Sequence, residues 1–144
     1  MRILKRRTYG GSSTGRRMKM QIIETKNAPA AIGPYSQAIV MNGLVYTSGQ
    51  IPIDTLTGTI EAGTIEEQTA QAIKNLSAIL EAAGSGLEYV IKTTCFLTDI
   101  NNFAAFNEVY ARLFPGRPAR SCVEVAALPK GALVEIEAIA EIKQ

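Results

Sequence analysis

The sequence predicts an α+β fold: a single mixed β-sheet with two helices packed on one face. Three observations carry this. Two stretches, opening near Thr64 and Asp99, repeat apolar residues at helical spacing and have their own start and stop signals. Runs rich in β-branched and aromatic residues precede, separate and follow them, in the order β-β-β-α-β-α-β-β. The length of 144 residues, 47% hydrophobic and 19% charged, suits one domain with a core of ordinary size.

Residues 1–17 stand outside that pattern. They lack a periodic apolar face, contain Gly10, Gly11, Ser12, Ser13, Thr14 and Gly15, and carry no acid. This reads as a basic, disordered or linker-like tail, an expression tag or an organellar presequence. The apolar stretch of a secretory signal is missing. The domain is expected over 18–144, starting at Met18 or Met20.

Short strands are expected at 21–24 and 38–41. The run LVYTSGQI (44–51) is a third, ended by Pro52. Residues 54–63 are turn-rich. Thr64 and Glu67 then form a capping box, in which each side chain satisfies an amide of the other's turn. Ile65, Ala72, Ile73, Leu76, Ile79, Leu80 and Ala83 make the helical stripe, and Gly84 stops it. Residues 89–97 read as a buried strand. Asp99 or Asn101 caps the second helix, whose stripe is Phe103, Phe106, Tyr110, Leu113 and Phe114, before Pro115-Gly116 ends it. Strands at 119–126 and 133–142 close the chain, joined by LPKG (128–131).

Two helices cover only one face of such a sheet. In the last strand Val134, Ile136, Ala138 and Ala140 point one way, and Leu133, Glu135, Glu137 and Ile139 the other. A face that is half apolar and half charged suits burial against another subunit, with a polar site trapped between. A homo-oligomer is therefore expected.

Composition excludes several chemistries. Histidine is absent, which removes Ser-His-Asp and Cys-His nucleophiles, His bases and His-ligated metals. No apolar run approaches the roughly 18–20 residues of a membrane span. Of the 15 basic residues, seven lie in residues 1–19, leaving eight against 13 acids in the remainder, a body of −5. Such a body has no broad footprint for nucleic acid. Cys95 and Cys122 lack CxxC spacing, so free thiols in a reducing cytoplasm are expected.

Arg112, Arg117 and Arg120 are the arginines of the body. Arg112 and Arg117 read as solvated charges. Arg120 opens a strand in which period two puts Arg120, Cys122 and Glu124 on one face. It either pairs with a neighbouring glutamate or forms a fork for a ligand carboxylate, which guanidinium matches bidentately. Asn107 falls within the apolar stripe of the second helix, where its amide needs a partner: a backbone group or a ligand. Glu135, between Val134 and Ile136, is either an ion-pair partner or a general acid or base. Tyr35 in Gly33-Pro34-Tyr35, and Ser48-Gly49-Gln50, are turn or strand-end positions where a backbone N–H can meet a ligand. Nothing nearby in sequence activates the Cys122 thiol.

The strings NAPAAIGPYSQ (27–37), TSGQIP (47–52), VIKTT (90–94), PARSCVEVA (118–126), LPKG (128–131) and VEIEAIA (134–140) occur in this order. Together they make residues 18–143 resemble the reactive intermediate deaminase A (RidA) family of the YjgF superfamily. That resemblance implies a chorismate-mutase-like α+β fold, a homotrimer with sites between subunits, and no cofactor or metal. It implies hydrolysis of 2-imino acids, the tautomers of enamines such as 2-aminoacrylate released by pyridoxal-phosphate dehydratases, to 2-keto acids and ammonia. By position, Arg120 would hold the substrate carboxylate and Cys122 would line the pocket. Glu135 would place or activate water, and Tyr35, Ser48, Gly49 and Asn107 would shape the site.

Two other functions compete. A non-catalytic carboxylate-binding regulatory module would carry the same clamp. A translation-inhibiting endoribonuclease would need basic and aromatic patches, which the −5 body argues against. A chorismate mutase would call for more cationic groups around its dicarboxylate. Cytoplasmic location is expected, or an organelle if the tail is a genuine presequence.

Overall fold

The computed structural model describes residues 2–8, as backbone, and residues 19–144. Its strands are β1 (Arg2–Thr8), β2 (Lys19–Glu24), β3 (Ala38–Met41), β4 (Leu44–Thr47), β5 (Val90–Leu97), β6 (Ala119–Glu124) and β7 (Val134–Glu141). Helix α1 (Ile65–Ala82) joins β4 to β5, and α2 (Phe103–Leu113) joins β5 to β6. The strands form one sheet in the order β1-β2-β3-β4-β7-β5-β6. Only β5 and β6 pair in parallel; every other neighbouring pair is antiparallel. The parallel pair is the one that a helix connects, since parallel neighbours need a long crossover.

Local chemistry accounts for each element. Asn42 and Gly43 turn β3 into β4 with φ 51° and 77°, the two left-handed residues a tight hairpin needs to match strand twist. Thr64 caps α1, its hydroxyl accepting from Glu67 N at 3.2 Å. Asp99 accepts from Asn101 N at 2.9 Å and caps a single 3₁₀ turn, Ile100–Asn102, that leads into α2.

The core lies between the helices and one face of the sheet. Ile73, Leu76, Ile79 and Leu80 of α1 and Phe106 of α2 meet Val134, Ile136, Ala138 and Ala140 of β7. The opposite face carries Glu135, Glu137 and Ile139, all partly exposed. Beside them stand Phe96 and Thr94 of β5, and Tyr46 of β4, 44% exposed. That is the half-apolar, half-charged face expected from the alternation of the last strand.

Two expectations are corrected, and one segment gains a strand. Within the segment read as a tail, tag or presequence, Arg2–Thr8 pairs antiparallel with β2. Pairing of this kind uses main-chain groups left open on an edge strand, so it needs no side-chain periodicity. The rest of that segment, residues 9–17, lies outside the described residues. The third strand ends at Thr47 rather than Ile51, because Ala138 N of β7 bonds to the Thr47 hydroxyl at 3.0 Å and pairing with β7 resumes only at an isolated bridge, Gln50 to Ile136, shifted by one residue. Tyr89 belongs to a 3₁₀ turn, Leu87–Tyr89, that precedes β5.

Candidate active site

The candidate residues gather in two places. The first is the start of β6. Arg120 points to the helix side, where its Nη1 donates to Asn107 Oδ1 at 2.7 Å. Its guanidinium carbon lies 4.7 Å from the ring centre of Tyr110, 5.4 Å from Phe103 and 5.7 Å from Phe106. Phe103, Phe106, Asn107 and Tyr110 share one face of α2 because they are spaced three and four apart. Arg120 makes no ion pair with an acid among the described residues. The sequence did not foresee the partner of the Asn107 carbonyl oxygen, which is the guanidinium. Glu124, the acid on Arg120's own strand face, is occupied elsewhere and accepts from Ile100 N at 2.9 Å.

Cys122 is the next residue on that face, half-buried beside the buried Cys95, its partner on β5. Burial pushes the Cys122 thiol above its ordinary range, and the Arg120 charge offsets only part of the rise. Cys95 is pushed up to about 12, again mainly by burial. Both are neutral thiols near pH 7, in keeping with Cys122 as pocket wall rather than nucleophile.

The second place is the open face of β7. Glu135 is half-buried, and its carboxyl is raised above the ordinary carboxylate range, first by burial and then by the charge of Glu137. Gln50 exchanges backbone hydrogen bonds with Ile136, at 2.8 and 3.1 Å, which lays Gly49 against Glu135. A Cβ at position 49 would come within 2.7 Å of Glu135 Cδ. Close approach is what requires glycine here. Ser48 Oγ donates to Ser36 O at 2.6 Å, tying this strand end to the loop that carries Tyr35. Tyr35 is 49% exposed, and its hydroxyl accepts from Ile32 N at 3.3 Å. Tyr35, Gly49 and Glu135 share a recess of about 60 Å³. A recess of that size admits water but falls well short of the roughly 300 Å³ at which ligand pockets begin.

The structure thus brings Arg120, Asn107 and Cys122 together, and separately Tyr35, Ser48, Gly49 and Glu135. The two groups stand on opposite faces of the same sheet, so one chain holds a guanidinium and a carboxylate that do not face each other. Arg112 and Arg117 are exposed, as expected. Sequence reasoning missed the buried amides behind the site. Gln37 accepts from Thr25 N and donates to Pro29 O, both at 2.7 Å, holding the start of the loop that leads to Tyr35. Asn75 of α1 donates to Ile51 O and Ile53 O at 3.0 and 2.9 Å. A polar residue within an otherwise apolar helical stripe was the available signal for Asn75, as it was for Asn107.

Comparison with known proteins agrees with this fold. Residues 25–142 match the family described as Endoribonuclease L-PSP. A Lactococcus lactis protein named for a regulatory role, AldR, is 56% identical over 125 residues, spanning 86% of this chain and 99% of that one. The rat 2-iminobutanoate/2-iminopropanoate deaminase is 50% identical over 121 residues, spanning 83% of this chain and 88% of that one. Among solved structures, Escherichia coli TdcF with bound serine superposes with a TM-score of 0.81 at 47% identity, over 85% of this chain and 98% of that one. With nearly the whole domain matched and the same fold, the chain belongs to the Endoribonuclease L-PSP family, the group that also bears the names YjgF, RidA and RutC.

Proposed function

We propose that this protein is a 2-imino acid hydrolase, a 2-iminobutanoate/2-iminopropanoate deaminase, whose site forms where the Arg120 side of one protomer meets the Glu135 side of the next in a homotrimer. The observation that carries the reading is Arg120 itself. Its guanidinium is held by an amide and three aromatic rings, none of which neutralises it. An arginine kept charged, partly buried and without an acid is suited to a ligand carboxylate. The name of the rat relative, and the serine bound to TdcF, support a small amino- or imino-acid ligand.

The chemistry follows from the residues. A protonated imine carbon is already electrophilic, so the site needs an anion clamp, a placed water and a proton carrier. Arg120 holds the carboxylate. Glu135 takes a proton from water as the oxygen bonds to the imine carbon, giving a carbinolamine, and delivers that proton to nitrogen. The C–N bond then breaks as Glu135 takes the hydroxyl proton and passes it to the departing ammonia, leaving a 2-keto acid and ammonium. A raised carboxyl serves both steps, because acid and base forms lie closer in energy near neutral pH.

The test is keto-acid release from a serine or threonine dehydratase with the purified protein added. Acceleration is expected from the wild type and none from Arg120→Ala. Glu135→Gln should lower kcat about 10²–10⁴-fold, with a smaller change in KM. Because Glu135 must be deprotonated to act as base, wild-type turnover should rise as pH climbs through its raised pKa, and the residual rate of Glu135→Gln should lose that limb. Full acceleration by Arg120→Ala would sink the clamp. The relative named as a regulator favours a second reading, in which the same clamp binds a carboxylate without turnover. Carboxylate binding without any keto-acid acceleration would select it.

A further inference from the structure

Arg120 poses a mechanical problem. It has a long, flexible side chain with five N–H donors, and it stands on the edge strand of the sheet. A carboxylate partner would hold it still but would consume its charge. The structure holds it with neutral groups instead, and one of them is itself anchored. Tyr110 has the nearest of the three rings, 4.7 Å from the guanidinium carbon. Its hydroxyl shares a buried hydrogen bond of 2.6 Å with Thr93 Oγ1. Thr93, fully buried, is the residue opposite Arg120 on the adjoining strand β5. The ring is also wedged between Phe106 and Phe114, with centroids 5.6 and 4.5 Å away. A closed circuit results: strand neighbour to hydroxyl, hydroxyl to phenol, phenol to guanidinium, and guanidinium back to its own strand.

We infer that Thr93 and Tyr110 are positioning residues for Arg120, their shared hydrogen bond fixing the ring against which the cation is aimed while its charge stays free. This rests on the reading of Arg120 as a carboxylate clamp. Burial raises the phenol pKa, so the circuit contains no anion.

Thr93→Val and Tyr110→Phe delete the same bond while keeping shape. Each should raise KM about 3–10-fold, the effect of one net hydrogen bond, with kcat within about twofold. The double variant should be no worse than the poorer single, since the bond is lost once. Thr93→Ser keeps the hydroxyl and should restore the wild-type KM. A second measurement needs no substrate: the side-chain N–H resonances of Arg120 in ¹⁵N-labelled protein, assigned by their loss in Arg120→Ala. They should show hindered guanidinium rotation in the wild type and Thr93→Ser, and averaged rotation in Thr93→Val and Tyr110→Phe. If the wild type hydrolyses no imine but these resonances change as stated, the hydrolase reading falls and the positioning stands. Unchanged KM and unchanged hindered resonances in Thr93→Val and Tyr110→Phe would overturn the inference, as would losses confined to kcat.

Discussion

Any side chain larger than hydrogen at position 49 must displace Glu135, since its Cβ would lie 2.7 Å from Cδ and 2.9 Å from Cγ and Oε2. Those atoms belong to a side chain that can swing toward the open face, so the fold has an inexpensive way to yield and the carboxylate does not. Gly49→Ala is therefore expected to leave the melting temperature within a few degrees while lowering kcat about tenfold or more, a separation that calorimetry and steady-state kinetics read directly. In a Glu135→Gln background the same substitution should cost little more, because the group it displaces is already disabled. Arg120 shows how far a single residue could be read from sequence. Its strand face and its suitability for a carboxylate were visible as spacing and residue type. Its partner was not, because Asn107 and Arg120 lie 13 residues apart and meet only through the crossing of helix and sheet.

At the scale of elements, helix α1 does more than cover the sheet. Asn75 reaches from its buried face to the carbonyls of Ile51 and Ile53, and Gln68 accepts from Leu133 N at 2.8 Å, just before β7. These amides fasten the loop segments on either side of the Gly49–Glu135 contact to one rigid helix. Asn75→Ala would strand the buried Ile53 carbonyl, while Ile51 O keeps its bond from Ile53 N at 2.8 Å, and is expected to cost about 1–3 kcal/mol in urea unfolding, more than a surface substitution on the same helix. The helices were the most legible elements, because caps and a 3.6-residue period are local signals. Strand ends were less so. The LVYTSGQI run has strand chemistry throughout, yet the ladder to β7 lapses at Thr47, whose hydroxyl takes Ala138 N, and resumes only at Gln50. No property of residues 48–51 alone announces that break. β1 was illegible for the complementary reason, being joined to the sheet through main-chain groups that every sequence possesses.

For the whole molecule, the decisive fact is that the two groups of candidate residues occupy opposite faces of one sheet. If the site is completed between protomers, two disabled chains should repair each other. Arg120→Ala supplies an intact Glu135, and Glu135→Gln supplies an intact Arg120. Co-refolding equal amounts of the two should restore about a quarter of wild-type activity, the share of sites that draws each group from the competent chain under random mixing. Mixing without any recovery would place both groups' work within one chain. The alternation of β7 made an open face, part apolar and part charged, foreseeable. Which face each group occupies had to come from the sheet order, since period two separates the faces within a strand but cannot say which one the helices will cover.

The recess beside Glu135 holds about 60 Å³, and this has a bearing on dose. Beside Glu135 a lone protomer offers room for solvent and none for a metabolite, so if the site is completed between protomers, specific activity should fall steeply on dilution below the assembly constant and return on concentration. Under the proposed function, synthesis of the chain would then switch on protection against its reactive target only above a threshold abundance.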